Sequence, residues 1–489
     1  MVPKLLADIS PLREYPAYRR LWAGETISSL GSQITATAVL LQVFAITRSS
    51  FQVGLVSLVA LVPLVGGGLF GGAIVDAVDR RRLAMITSGG LAAVSAAFLV
   101  LTLAGAVDDV AWPLMCLVAV QSALLAADQP ARRAMTPNLI PFEHLPAASA
   151  LAQIGGTAAG VFGPLIAGVT VAAGGFSVAY AIDLVTFAAP LYGLARLPAM
   201  PPRGGGRGAG VASVAEGLRF LRGQPVLLMT FVVDLIAMVF GMPRALFPAL
   251  AEDRFGGGSA TAGAMYSAVA VGSLLAAGLS GPLGGVRRQG LAVVVSIALW
   301  GGAIVGFGLA HDIALGLALL ALAGAADMVS AILRNAILNV ATPDEMRGRL
   351  QGVFLVVVTG GPRLGDLEAG GVAAATSPAF SVISGGLAGI GCLLLATAAV
   401  PALIRYDAKA AVAQARARTS QPPLNSAAAS PTGTPGGPAP ADETSSAGEA
   451  APAGEAAPAG GTSPAGGIDA PQVPRPTGGA ARDTLDPSA

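Results

Sequence analysis

Apolar runs of about 20 residues, each closed by charged residues or by a Pro/Gly-rich break, recur from residue 22 to residue 404. At about 1.5 Å of rise per residue, such a run is long enough as a helix to cross the hydrocarbon core of a bilayer. The pattern predicts twelve membrane-spanning helices, near 22–45, 51–75, 83–106, 111–128, 147–172, 176–195, 225–248, 260–284, 290–310, 313–333, 350–374 and 378–404. The expected fold class is an all-α integral membrane protein.

The polar residues between the runs sort by side. Alternate connections carry Arg80, Arg81 and Arg82, then Arg132 and Arg133, then Arg196, Arg203, Arg207, Arg219 and Arg222, then Arg287 and Arg288, then Arg334, Arg347 and Arg349. The remaining connections hold only Arg48 and Arg254, alongside Asp108, Asp109, Glu252, Asp253 and Asp312. Positive charge is retained on the cytoplasmic side of a membrane. The asymmetry therefore predicts an inner (plasma) membrane protein with both termini cytoplasmic, which agrees with an even number of crossings. The first twenty residues hold Lys4, Asp8, Arg13, Glu14, Arg19 and Arg20, without the uninterrupted apolar core of a cleaved signal.

Composition agrees: 54% of residues are hydrophobic, 12% are charged and mean hydropathy is +0.69. A net charge of +1 gives no basis for a nucleic-acid partner. Cys116 and Cys392 fall inside predicted spans and form no CxxC pair, while His144 and His311 are isolated, so no metal site is expected. With Lys4 and Lys409 the only lysines, there is no phosphate-binding GxxxxGK loop. No cofactor and no enzymatic activity are expected.

Four segments are predicted. Residues 1–195 form a first six-helix bundle and 225–407 a second, joined by a linker at 196–224. The linker begins PAMPPRGGGRGAG and continues with helical spacing, Val214, Leu218 and Leu221 on one side, which reads as an interfacial helix. Residues 408–489 are rich in Ala, Pro, Gly, Ser and Thr, including a tandem GEAAPA, and lack the bulky apolar residues that offset ordering entropy, so a disordered tail is expected. The halves echo each other: ADQPARRAMTPNLIPFEHL after the fourth span and ADMVSAILRNAILNVATPDEM after the tenth both begin Ala-Asp and end Pro-x-Glu, at Pro141/Glu143 and Pro343/Glu345. Parallel repeats suit two bundles that rock about a midplane site.

Residues 72–82, GAIVDAVDRRR, resemble the signature between the second and third helices of the major facilitator superfamily, with Ala77 in place of the usual basic residue and Asp79 in place of the second glycine. PARRAMTPNLIPFEHLPAASAL at 130–151, TPDEMRGRLQGV at 342–353 and GPRLGDLEAGGVAA at 361–374 are similar to the bacterial transmembrane secretion effector branch, which includes enterobactin exporters and macrolide-efflux-like proteins. The resemblance covers roughly residues 10–407 and implies two pseudo-symmetric six-helix bundles. It also implies a central cavity lined by the first, fourth, seventh and tenth spans, from which Gln33, Gln121 and Met238 are candidate substrate contacts. Gating is expected at Gly72, Asp76, Arg80, Arg81, Arg132 and Arg133, with the Asp76 carboxylate accepting from Arg132, Arg133 or a helix end. In the fifth span, Gly160, Gly163, Pro164 and Gly168 permit close helix approach and favour a kink, and loosely resemble the Gly-Pro motif of antiporters in the superfamily.

Charges inside the spans must pair, face water or carry a proton. Glu25, one turn into the first span, is a candidate for proton exchange as a cavity hydrates. Asp234 lies mid-depth in the seventh span without a charged neighbour one turn away; Arg244 is too far along that helix, so its partner must come from elsewhere. In the eleventh span Arg363 and Asp366 share a face at i,i+3 and read as a local salt bridge, leaving Glu368 free to titrate; Asp366 and Glu368 complete the proton-coupling candidates. Asp183 and Asp327 read as parts of structural networks, Asp327 sharing a face with Arg334.

The resulting expectation is a monomeric secondary transporter in the lipid bilayer. It would couple protons to the efflux of a small amphipathic antibiotic, siderophore or metabolite by alternating access. A uniporter or importer of a small solute is the alternative, and a membrane enzyme or a transport-dead sensor fits less well.

Overall fold

The computed structural model describes residues 8–201 and 211–419, with the side chains of 68–77, 211–214 and 414–419 and a few between 344 and 355 outside that description. Gly72 and Asp76 belong to the first of these stretches, and the tail beyond 419 is likewise outside the described residues. The first part of the tail does take up structure, as a helix at Ala408–Thr419.

Numbered by crossing, the helices are α1 (Pro16–Thr47), α2 (Ser50–Ala77), α3 (Arg80–Leu103) and α4 (Trp112–Leu139). Leu145–Thr186 is one helical stretch broken at Gly175, whose φ of 78° and ψ of 178° lie in a region that L side chains avoid. Its limbs, 145–174 and 176–186, are α5 and α6, and Ala188–Ala195 extends α6. The contacts with α1 show the reversal. Residues 148, 151, 155 and 163 follow 18, 22, 26 and 33 upward, whereas 193, 190 and 183 meet 20, 24 and 31 in descending order. The second half comprises α7 (Pro225–Phe240), α8 (Ser259–Gly278), α9 (Gln289–Leu309), α10 (Ile313–Ala341), α11 (Asp344–Ala375) and α12 (Pro378–Ala399).

Ten stretches among the described residues satisfy length and hydropathy requirements for crossing a membrane. Division at Gly175 makes eleven, and α11 is the twelfth: its 32 residues span about 48 Å and carry Arg363, Asp366 and Glu368 within the crossing. All twelve expected spans are therefore present, and residues 16 and 399 lie at one end, here termed the basic end, with the 47–50 and 309–313 turns at the far end. The seventh crossing is interrupted. α7 stops at Gly241, Pro243 cannot continue it, and a short helix, Phe247–Asp253, completes the passage.

α1 packs on α5 and α6, α2 on α4, α8 and α9 on α10, and α9 on α12. Between the halves, α2 meets α11 and α5 meets α8. Both seams rest on glycine. A Cβ at Gly370 would lie 2.5 Å from the Ser50 carbonyl oxygen, and one at Gly168 would lie 2.5 Å from that of Ser259. Gly263 faces the Pro164 carbonyl in the same way, and Ser267 Oγ donates to Val161 O at 2.7 Å. α5 stays helical through Pro164, and the break falls at Gly175. These contacts gather toward the far end, where Arg48 also pairs with Glu252 and Ala245 and Ala249 of the interrupted crossing join the apolar core of the first half.

Between the halves, the linker carries the expected amphipathic helix, Val211–Arg222. Leu221 is buried against Leu227, Phe231, Leu350 and Val353, Gly217 abuts the Arg349 carbonyl, and Glu216 pairs with Arg349 at 3.0 Å, while Leu218 stays exposed.

Candidate substrate cavity

α1 and α7 both begin on proline, Pro16 and Pro225, and both place a carboxylate at their tenth residue, Glu25 and Asp234. Each faces an arginine-bearing helix, α4 or α10, so each half holds one carboxylate–arginine cluster. The surroundings of the two differ.

In the first half a cavity of about 620 Å³ opens between the basic ends of α1, α4 and α5, bordered by Tyr18, Trp22, Glu25, Arg132, Arg133 and Gly156, among others. An inner chamber of about 160 Å³ continues it to Ser32, Gln33 and Phe187, with Glu25 and Arg132 bordering both. Buried Arg132 donates from Nε to Asp128 Oδ2 at 2.6 Å and from Nη2 to Ser88 Oγ at 2.7 Å, and Thr87 Oγ1 donates to Asp128 Oδ1 at 2.6 Å. Two carboxylate oxygens and two guanidinium nitrogens are thereby satisfied inside one half. No hydrogen bond to the Glu25 carboxylate is present among the described residues.

In the second half a pocket of about 150 Å³ lies between α7, α10 and α11, bordered by Asp234, Met238, Asp327, Arg334 and Asn335. Arg334 Nη1 pairs with Asp234, and Arg334 Nη2 stands 4.0 Å from Asp327 Oδ1. Arg334 thus supplies the partner that Asp234 lacks on its own helix. The single central cavity expected is divided: α1, α4 and α5 border the first-half cavity, Leu91 of α3 and Phe187 reach its inner chamber, and α7, α10 and α11 border the second-half pocket, because Asp128–Arg132 and Asp234–Arg334 are each closed within one half.

The other candidates separate. Gln33 borders the inner chamber and Met238 the second pocket, where its side chain lies against Gly361. Gln121 is buried on α4 and borders neither. Asp366 is not held by Arg363, as its spacing suggested. It accepts from Ser57 Oγ at 2.6 Å and from the Ala245 amide at 3.2 Å, and Arg363 turns back to the Thr359 carbonyl at 2.7 Å. Asp366 therefore joins α2, α11 and the interrupted seventh crossing, while Glu368 on the same helix is half-buried. Asp183 is fully buried and accepts from Thr35 at 2.7 Å and Ser95 at 2.6 Å, the structural network expected of it.

At the basic end, Arg81 donates to the carbonyls of Leu194 and Ala195, both at 2.8 Å, capping α6. Asp79 caps α3 through the Arg82 amide and also accepts from the Met200 amide at 2.9 Å. Gly163 packs on Gln33, and nothing stands within 4 Å of a Cβ at Gly160. Asp128, Thr87 and Ser88 were not singled out from sequence; the i,i+4 spacing of Asp128 and Arg132 was the available signal.

Twelve crossings in two similar halves, with ionisable residues gathered around a cavity in each half, define a membrane transporter of the major facilitator superfamily. Nucleoside transporter NupG superposes on the chain with a TM-score of 0.61 at 14% identity, over 80% of this chain and 99% of that one. A D-xylose–proton symporter does so with a TM-score of 0.61 at 14% identity, over 78% and 97%. These likenesses bear on fold alone. The chain belongs to the transmembrane secretion effector family, whose profile matches residues 6–434. Enterobactin exporters of Shigella boydii serotype 18 and Escherichia coli O139:H28 are each 30% identical to it over 398 residues, covering 80% of this chain and 94% of theirs.

Proposed function

We propose that this protein exports a small amphipathic compound, of siderophore or antibiotic type, across the inner membrane by alternating access, with both termini in the cytoplasm. The observation that carries the reading is the cavity of about 620 Å³ at the basic end, combined with glycine-tight contacts between the halves toward the far end. Positive-inside orientation makes the basic end cytoplasmic, so the described state accepts a compound from the cell interior. The similarity to enterobactin exporters supports outward transport.

Export is coupled to protons in this reading. Asp234 is the principal carrier: protonation removes its attraction for Arg334 and loosens α7 from α10, a change that biases one conformation against the other. Glu25 exchanges protons with the open cavity, and Asp366 and Glu368 are secondary candidates. The segment containing Gly72, Asp76, Arg80 and Arg81, together with Arg132 and Arg133, gates the basic end, and the transporter acts as a monomer.

The test is substrate-induced proton movement in inside-out vesicles, with a panel of siderophores and hydrophobic antibiotics. The expected result is that at least one compound dissipates the pH gradient with wild type and that Asp234→Asn abolishes the response. Transport that proceeds unchanged in a collapsed pH gradient would overturn proton coupling, and accumulation in the opposite direction would overturn export.

A further inference from the structure

Arg132 holds one hydrogen-bonding group that the protein does not use. It is 4% exposed, its Nε and Nη2 are committed to Asp128 and Ser88, and its Nη1 is buried with no partner. Asp128 is held from the Nε edge of the guanidinium and makes no hydrogen bond to Nη1. Glu25 borders the same chamber without accepting from Arg132. A buried guanidinium N–H without an acceptor is costly, and its persistence calls for an explanation.

We infer that Arg132, assisted by Arg133, binds an oxyanion of the exported compound, a carboxylate or phenolate, and that the transported class is an amphipathic acid. This rests on the export reading above. A guanidinium recognises planar oxyanions through directed, charge-assisted bonds. Arg133 borders the outer cavity and adds a second positive charge on the approach. The rest of the cavity suits the apolar body of such a molecule: Trp22 and Tyr18 form an aromatic wall with their polar atoms turned away, onto the carbonyls of Leu151 and Ala148. Gly156, with nothing within 4 Å of its Cβ position, leaves room beside them. A volume of about 620 Å³ is in the range of sites for drug-sized ligands. Glu25 opposes an anion at this position, so its neutralisation strengthens binding.

Trp22 serves as the reporter. In full-length protein carrying Trp112→Phe and Trp300→Phe, which leaves Trp22 as the sole tryptophan, reconstituted in lipid nanodiscs, its fluorescence is followed against three isosteric probes. These are 2-naphthoate, the neutral 2-naphthalenemethanol and the cationic 2-naphthylmethylammonium, with protein-free nanodiscs as background. Naphthoate is expected to quench saturably and to bind at least about tenfold more tightly than either isostere. Arg132→Gln is expected to remove that preference and Glu25→Gln to increase it. Because Arg132→Gln leaves Asp128 buried and unpaired, the Asp128→Asn/Arg132→Gln double variant is measured beside it, and the same loss is expected. Naphthoate binding that is no tighter than that of the neutral isostere, or that survives both Arg132 variants, overturns the anion site. If the cation binds best and Glu25→Gln abolishes its binding, the anion site falls and the export reading stands.

Discussion

The two carboxylate–arginine clusters are partnered differently: Arg132 binds Asp128 on its own helix, whereas Arg334 binds Asp234 across two. Arg334 and Asp234 are both buried and bind each other from separate helices. Removing one partner strands the other in a low-dielectric interior, at a cost of about 3–5 kcal/mol. Arg334→Gln is therefore expected to lower the thermal unfolding midpoint of the purified protein, and Asp234→Asn/Arg334→Gln to recover part of the loss, Asp327 still lacking the arginine beside it. A double variant as unstable as the single one would show that the charges are not paired. Asp407 lies outside the membrane and behaves differently. A hydrogen bond from Arg287 holds its pKa below the ordinary carboxylate value, with the Ala410 and Lys409 amides and the charge of Arg287 acting in the same direction. Stability from this contact is fully present above the unfolded-state pKa, about 4, and is lost as pH falls through the lower folded value. Exchange protection of the Lys409 and Ala410 amides, which donate to Asp407, should be constant from about pH 5 to 8 after correction for intrinsic rates, and should fall only below about pH 4.

Helix against helix, the seams between halves work by subtraction of side chains. Where no hydrophobic force drives apolar helices together in lipid, close backbone approach supplies the attraction. Gly263 is the sharpest case, because a Cβ there would stand 2.5 Å from the Pro164 carbonyl oxygen and 2.9 Å from the Gly168 Cα, backbone atoms that cannot rotate away. Gly263→Leu is expected to pry α5 from α8 and reduce transport in vesicles by at least about tenfold, since a displacement near 1 Å far from the site can cost a factor of a hundred. Full transport by this variant would show that the seam is not closed during the cycle. Gly160, which faces open space, is the internal control, and Gly160→Ala should leave transport unchanged.

For the molecule as a whole, alternating access requires the far end to open. Arg48 and Glu252 pair across the halves there. A reducible bifunctional thiol reagent joining Arg48→Cys to Glu252→Cys is expected to stop transport, and a reductant to restore it; transport that continues through the cross-link would exclude separation of the halves at this end. The division of labour between clusters also bears on coupling. An oxyanion at Arg132 and a proton on Glu25 favour each other, so neither displaces the other. Exchange of an anion for a proton therefore calls for a proton site elsewhere, and Asp234, in the opposite half and bound to its own arginine, meets that condition. Neutralisation of Asp234 should uncouple transport from the pH gradient while leaving naphthoate binding at Arg132 intact.

Sequence alone determined the crossings and their number, but not the interruption of the seventh at Gly241–Pro243, which lies inside a run that reads as one span, 225–248. The bilayer demands a fixed length of apolar helix, so composition carries the information directly, including the reversal at Gly175 and the charged eleventh crossing that hydropathy by itself passes over. It also determined which residues were under electrostatic strain, because any charge inside a span must be accounted for. Partners were another matter. Spacing within one helix suggested Arg363 for Asp366, yet tertiary structure gave Asp366 to Ser57 and the Ala245 amide. No local pattern connects Asp234 to Arg334, a hundred residues apart. Asp128 went unremarked although its spacing to Arg132 was visible, because a satisfied pair has no signature until Thr87 and Ser88 are brought beside it. Span length and helix periodicity are set by short-range geometry and the solvent, whereas the partner of a buried charge depends on which helix faces it, and that is decided only by packing.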